Sequence, residues 1–311
     1  MIRMSGRTST LGLAALLLAA CALFSAAPKP VPIILDTDIG TDIDDAFALA
    51  LVLRSPELDL LGVTTVSGDT AARAAIAAKM LSEYGAGNVP VYAGSPGKRL
   101  PCAQCRWAAG FHAPQLHSQG AVDFLDREFT RRPGEITLLT IGPLTNLAAL
   151  LKKHPDVGKK IRQIVMMGGS LRRGYSPGSG PTPEYNIAAD IPAAQAVFSS
   201  GIPILMAPLD VTARLQLDAA DRQKIFSRGT PLSTALAELY KLWGQPTPTL
   251  HDPMAVSLLL DPSLCQIESL AIGVDSEGFT KELRGKPANV RVALDTSPRK
   301  FIEFYLDRVA P

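Results

Sequence analysis

The chain is short of cysteine, of net charge and of long apolar runs, and each shortage removes a class of explanation. It holds four cysteines. Cys102-Ala-Gln-Cys105 has no second CxxC to complete a zinc site, so it could be a zinc half-site, a redox pair or a local disulfide. In an oxidising compartment a small disulfide in a surface loop is the favoured reading. Cys265 stands in an apolar stretch and reads as core. The formal net charge is only +2, which gives the chain no bulk electrostatic claim on nucleic acid or an anionic membrane. A small molecule is therefore the expected partner, with no nucleic acid.

The N-terminus carries Arg3 and Arg7, an apolar run over residues 11–18, then Ala19-Ala20-Cys21. Two positive residues, a short apolar core and small residues before a cut predict a secretory signal peptide, too short and wrongly flanked to span a bilayer. Leu18-Ala19-Ala20-Cys21 resembles a bacterial lipobox, after which Cys21 is diacylated; the rival is ordinary cleavage after Ala27, with Ser25 and Ala27 as the small residues. The reading is a signal peptide over 1–20, a short linker over 21–30 and one domain over 31–311. The protein is then exported, periplasmic or membrane-anchored, touching a membrane only through Cys21. Cleavage before Cys21 removes two of the 31 basic residues and none of the 29 acidic ones, so the mature chain is formally neutral. No linker or repeat divides the 291 residues that remain.

What the chain does have is acid in one place. A buried apolar run at residues 31–35 breaks into five aspartates within ten residues, Asp36, Asp38, Asp42, Asp44 and Asp45. The apolar period of Ala46, Leu49, Ala50 and Leu53 then continues as a helix. Five like charges so close repel one another, and burying them bare costs more than a fold can offset. A hard metal, calcium first, answers that problem. A solvated helix N-terminus explains one or two aspartates, not five. An EF-hand would need Gly and Glu where Thr41 and Phe47 stand, and a helix where a strand precedes.

Beyond this loop strands and helices alternate. Residues 58–66, 89–92, 135–141, 162–167 and 202–207 have strand character; residues 71–84, 121–129, 144–153 and 192–199 have helical character. Alternation predicts a mostly parallel sheet covered on both faces, with ligands beyond the carboxyl ends of its strands. Four post-strand loops carry chemistry. Ser67-Gly68-Asp69 turns tightly, and Asp69 either points into the crevice or caps the next helix. Thr140-Ile141-Gly142-Pro143 leads into a helix. Met167-Gly168-Gly169 opens a loop rich in Gly, Pro and Ser, over 171–183, that reads as a mobile lid or a surface excursion and ends at Glu184-Tyr185-Asn186. His251-Asp252-Pro253 opens an apolar helix, where a plain cap is the alternative for Asp252.

Asp36-Thr37-Asp38 after a strand and Asp44-Asp45 opening a helix, followed in order by Glu184-Tyr185-Asn186 and His251-Asp252-Pro253, resemble the inosine-uridine type nucleoside hydrolases. The resemblance runs from Val31 to the helix that Ser297 and Pro298 start. It implies a single-domain α/β fold, an open, mostly parallel, Rossmann-like sheet flanked by helices. It also implies calcium-dependent hydrolysis of the N-glycosidic bond of ribonucleosides to ribose and free base, for nucleoside salvage, by a homodimer or homotetramer.

By this resemblance, calcium is held by Asp36 or Asp38, by Asp45, the carbonyl of Thr140 and Asp252. Asp38 is the general base and His251 helps the leaving base, a role that suits a histidine with its pKa near neutrality. Asp44 and Asn186 hold the ribose hydroxyls and Glu184 the primary hydroxyl, with Met167 at the same strand end; a carboxylate beside an amide recognises a diol well. The family usually has Asn where Asp69 stands, so Asp69 is its substrate-contact position with altered chemistry. Two extra residues separate Asp38 from Asp44 relative to the commonest family spacing, so Asp42 competes with Asp44.

Two rivals have different signatures. A haloacid-dehalogenase-type phosphatase would use Asp36 as nucleophile with magnesium, but needs Gly-Thr directly after the second Asp, where Ile39 intervenes. A non-catalytic, calcium-dependent nucleoside-binding lipoprotein would bind ribose without releasing base.

Overall fold

The computed structural model describes residues 1–2, 29–98 and 100–311. The expected signal peptide and Cys21 fall outside the described residues. In chain order the elements are β1 (Val31–Thr37), α1 (Asp44–Leu53), β2 (Leu58–Thr65), α2 (Thr70–Tyr84), β3 (Val91–Ala93), β4 (Leu116–His117), α3 (Ala121–Arg131), β5 (Thr137–Thr140), α4 (Thr145–Lys153) and β6 (Gln163–Met167). They continue with α5 (Tyr185–Ala188), α6 (Ile191–Phe198), β7 (Ile204–Ala207), α7 (Leu209–Thr212), α8 (Ala219–Phe226), α9 (Pro231–Trp243) and α10 (His251–Leu260). The last are β8 (Cys265–Leu270), β9 (Ile272–Val274), β10 (Thr280–Glu282), β11 (Val290–Thr296) and α11 (Pro298–Val309).

Nine strands form one sheet in the order β4-β3-β2-β1-β5-β6-β7-β11-β8. All neighbours are parallel except β8, which runs antiparallel to β11 at the edge. β1 is central and buried on both faces. Successive strand side chains point to opposite faces, so Ile33 and Leu35 join one hydrophobic layer with α1, α2, α9, α10 and α11. Ile34 joins the other with α3, α4 and α6. Two-sided burial is why the strands read as continuous apolar runs.

The same topology places the site. From β1 the chain builds outward through β2, β3 and β4, then returns to the far side of β1 as β5. The strand order therefore reverses beside β1, and the crevice beyond the carboxyl ends of β1 and β5 is where a sheet of this kind binds ligand.

The fold agrees with the α/β expectation and differs at both edges of the sheet. No apolar run marks residues 116–117 or any strand after residue 207, yet β4, β8 and β11 complete the sheet. The residues of β8 and β11 alternate instead of running apolar: Val290, Val292 and Ala293 are buried while Arg291 is exposed, and β8 is a half-exposed edge with Gln266 and Glu268 outward. The search for apolar runs passes over strands of that kind. Among the described residues no helix is long and apolar enough to cross a membrane.

Candidate active site

β1 ends at Asp36 and Thr37, the next residue Asp38 enters the crevice, and α1 begins with Asp44 and Asp45 in its first turn. Far along the chain, α10 begins with His251 and Asp252. Asp252 is buried in that first turn and caps nothing there, so the plain-cap reading does not describe it. The two helix starts meet: the Asp252 backbone N–H donates to Oδ2 of Asp44 at 3.3 Å. One carboxylate oxygen from each of Asp44, Asp45 and Asp252 lies within 4.8 Å of the others.

That spacing has a direct chemical meaning. Two oxygens bound to one ion at about 2.4 Å can be no more than about 4.8 Å apart, and an all-oxygen donor set suits a hard divalent cation. Burial raises the pKa of all three carboxyls well above the ordinary range, and repulsion from neighbouring aspartates raises each further: Asp42 and Asp45 at Asp44, Asp38 and Asp42 at Asp45, Asp44 and Asp45 at Asp252. Without a counter-ion these groups resist ionising together. The residues present therefore fit a calcium-like ion.

Asp38 opens onto a cavity of about 220 Å³ that also reaches Asp44, Asp45, Asp252, Glu184, Asn186 and His251. Burial lifts its pKa to about 6, against the opposing pull of the Arg73 cation. Asp36 lies behind this wall, fully buried, and is not among the residues lining the cavity. Its Oδ1 accepts from Thr64 Oγ1 at 2.6 Å and Asn146 Nδ2 at 2.8 Å, while Oδ2 has no partner. Burial raises its pKa to about 7. Gly142 allows the approach of the β5–α4 turn, since a Cβ there would stand 3.0 Å from both the amide and Oδ1 of Asp38.

The opposite wall is made by the turn into α5. Glu184 caps it, Oε1 accepting from the Asn186 N–H at 2.9 Å and Oε2 from those of Gly169 at 2.9 Å and Ile187 at 3.3 Å. Burial raises the Glu184 pKa to about 7 despite these bonds. Asn186 Nδ2 donates to the carbonyls of Ile141 and Met167, both at 3.2 Å, which leaves Oδ1 as its available polar atom. Met167 lines the cavity beside it.

His251 is packed against Tyr175, ring centroids 6.1 Å apart in an edge-on arrangement, and its Nδ1 lies 2.9 Å from Thr212 Oγ1. Burial pushes its pKa down to about 4. The ring is therefore neutral at neutral pH, unlike the group poised near neutrality expected from its residue type.

Asp69 differs in place, and Thr140 and Asp42 are located relative to the cavity. Asp69 is exposed, is not among the cavity-lining residues and caps α2, accepting from the Ala72 N–H at 3.0 Å. An Asp just before a helix satisfies an orphan N–H, and here that outcome prevails. Thr140 is wholly buried in β5, with Oγ1 donating to the Gly142 carbonyl at 3.3 Å; the cavity reaches the next residue, Ile141. Asp42 is exposed and Asp44 buried, both line the cavity, and of the two Asp44 belongs to the carboxylate cluster.

Cys102 and Cys105 form a disulfide, as favoured from sequence. Sequence reasoning missed Tyr175, Tyr185, Thr212, Asn146 and Arg73. For Arg73 a signal existed: it is the one charge among the alanines of residues 71–78, on the face of α2 that the fold buries. A larger groove of about 860 Å³ between α4 and α6 contains Asp190, already held by Thr145, and none of the clustered carboxylates.

Comparison with known proteins agrees with the geometry. The family model described as inosine-uridine preferring nucleoside hydrolase matches residues 33–303. The pyrimidine-specific ribonucleoside hydrolase of Citrobacter koseri is 32% identical over 311 residues, covering 90% of this chain and 98% of that protein. Among solved structures, a plant nucleoside hydrolase superposes with a TM-score of 0.77 at 26% identity, covering 90% of this chain and 99% of the other. The purine-preferring ribonucleoside hydrolase from Gardnerella vaginalis does so with a TM-score of 0.76 at 26% identity, covering 90% and 98%.

Proposed function

The chain belongs to the inosine-uridine preferring nucleoside hydrolase family, and from that premise we propose that it hydrolyses the N-glycosidic bond of ribonucleosides to ribose and free base, with calcium at the acidic cluster. The observation that carries this reading is the convergence of Asp44, Asp45 and Asp252 on one side of a cavity whose other side presents Glu184 and Asn186.

Glycosidic cleavage passes through an oxocarbenium-like sugar, so the site needs negative charge at the ribose, an activated water and help for the departing base. Asp44, Asp45 and Asp252 would hold the cation, with Asp38 lining the same cavity. A bound calcium would supply a water of lowered pKa and offset the clustered charge, though less strongly than zinc. Asp38 takes the proton from the attacking water at its carboxylate, a general base with a pKa close enough to neutrality to be ionised in use. Asn186 Oδ1 and Asp44 accept from the vicinal hydroxyls. Glu184, whose Oε1 accepts a single backbone N–H while Oε2 accepts two, takes the primary hydroxyl at Oε1. With Thr212 Oγ1 donating to Nδ1 across the 2.9 Å contact, a neutral His251 would carry its proton on Nε2, where it can donate to the leaving base.

We also infer a salvage role in a bacterial cell envelope, because the N-terminal pattern is that of an exported lipoprotein. The deciding assay is reducing-sugar release from inosine, uridine, cytidine, adenosine and guanosine with and without calcium. The relatives include a pyrimidine-specific and a purine-preferring hydrolase, so the panel spans both classes. Calcium-dependent ribose release supports the reading; a folded, calcium-loaded protein inert on every nucleoside overturns it.

A further inference from the structure

Arg73 is the largest side chain in the fully buried set, 1% exposed, and no other lysine or arginine among the described residues is buried. A buried guanidinium costs several kcal/mol unless its N–H groups are satisfied. Here they are satisfied by an unusual set of partners. Nε donates to the Ser67 carbonyl at 2.8 Å, Nη1 to the carbonyls of Asp38 and, at 2.9 Å, Ile39, and Nη2 to Thr41 Oγ1 at 2.8 Å. None of these acceptors is a carboxylate, and Arg73 forms no ion pair among the described residues. The hydrogen bonds of the fork go to the shape of a loop, while its charge pulls on the Asp38 and Asp45 carboxyls without pairing with either.

That loop is the segment between Asp38 and Asp44. Its other side is held as well. Gly40, at φ +115°, packs so closely on the cystine that a Cβ would stand 2.7 Å from Cys102 Sγ, and Gln104 Nε2 donates to the Asp42 carbonyl at 2.7 Å. Arg73 also ties the loop to the turn after β2, where Ser67 has a left-handed φ of 67°. A free loop of this length would sample many conformations, and each would separate Asp38 from the pair at the start of α1.

We propose that Arg73 is a positioning residue: its guanidinium holds residues 38–41 in the one conformation that sets Asp38 in the same cavity as the Asp44–Asp45 pair and presents that pair to the cation. This rests on the reading of the acidic cluster as the hydrolytic metal site. Lysine cannot substitute, because a single ammonium cannot reach acceptors arranged around a planar fork.

The test is calorimetric titration of calcium chloride into metal-free protein for wild type and Arg73→Lys, with thermal melts of the same samples and kcat and KM on a turned-over nucleoside. Arg73→Lys keeps the charge and loses the fork. Calcium affinity and kcat should each fall by roughly tenfold or more, as for loss of a group that orients a ligand, while KM stays within about threefold. A side chain that only stabilised the fold would lower Tm and leave the folded protein's calcium affinity and kcat unchanged, and that result overturns the proposal. Should Arg73→Lys not fold, Thr41→Val removes only the Nη2 contact; a lowered calcium affinity supports the proposal and wild-type affinity overturns it. The titration reads the cation alone, so a wild-type chain inert on nucleosides would strike the proposed reaction without deciding this outcome.

Discussion

The N–H of Asp252 donates to Oδ2 of Asp44 across 3.3 Å, joining two helix starts that lie 208 residues apart in the chain. The bond sets the first turns of α1 and α10 side by side, where each contributes a positive dipole end as well as a carboxylate. The site depends on that meeting, and the expected behaviour of variants follows from it.

Asp252→Asn removes one of three converging anions while keeping the shape. Calcium affinity should fall by roughly tenfold or more, and metal-free Tm should rise, because the buried carboxyl that Asp44 and Asp45 repel is gone. Calorimetry with thermal melts in EDTA checks both; undiminished calcium binding would remove Asp252 from the metal site.

Metal-free protein should lose stability as pH rises. Burial raises Asp36 to about 7, Asp38 to about 6 and Glu184 to about 7, all above their unfolded values. A raised carboxyl holds its proton longer in the folded state, so its contribution is complete below about pH 4 and is lost as pH climbs through about 6 to 7. Melting in EDTA from about pH 5 to about pH 8 should show Tm falling, each kcal/mol being worth roughly 2 °C for a chain of this size. Saturating calcium should flatten that profile.

Asp38→Ala should reduce kcat by about 10²- to 10⁴-fold, the ordinary worth of a positioned base. His251→Ala should depress hydrolysis of purine nucleosides more than that of a 4-nitrophenyl riboside, whose leaving group needs no proton. Equal losses on both substrates would show that His251 does not assist the leaving group.

Replacing Cys102 and Cys105 together with serine should destabilise the fold by about 2 kcal/mol by loop-closure entropy. Because the cystine packs on Gly40, calcium affinity should also weaken. An affinity equal to wild type after verified loss of the disulfide would mean that Arg73 and Gln104 hold the loop unaided.

Much of this protein is legible in the sequence because its signals are local. Apolar runs mark strands buried on both faces; five aspartates after a strand mark charge that needs a counter-ion; Glu184, Asn186, His251 and Asp252 stand in short motifs whose residue types suit diol and metal chemistry. Local signals do not carry relative position. That Asp69 caps α2, that the cavity reaches Ile141 and not Thr140, and that Asp44 lies inside the cluster while Asp42 stays outside it are consequences of which backbone atoms face the crevice. The neutral state of His251 comes from burial supplied by other segments, and residue type alone pointed the other way. Arg73 is the clearest case, a charge in an alanine-rich helix whose partners, from Asp38 to Thr41, lie more than thirty residues upstream. Composition and periodicity determined the layers and the chemistry at hand, and only the packing of α1, α2 and α10 around β1 decided which groups meet, because desolvation and hydrogen bonding act between atoms close in space, however far apart they lie along the chain.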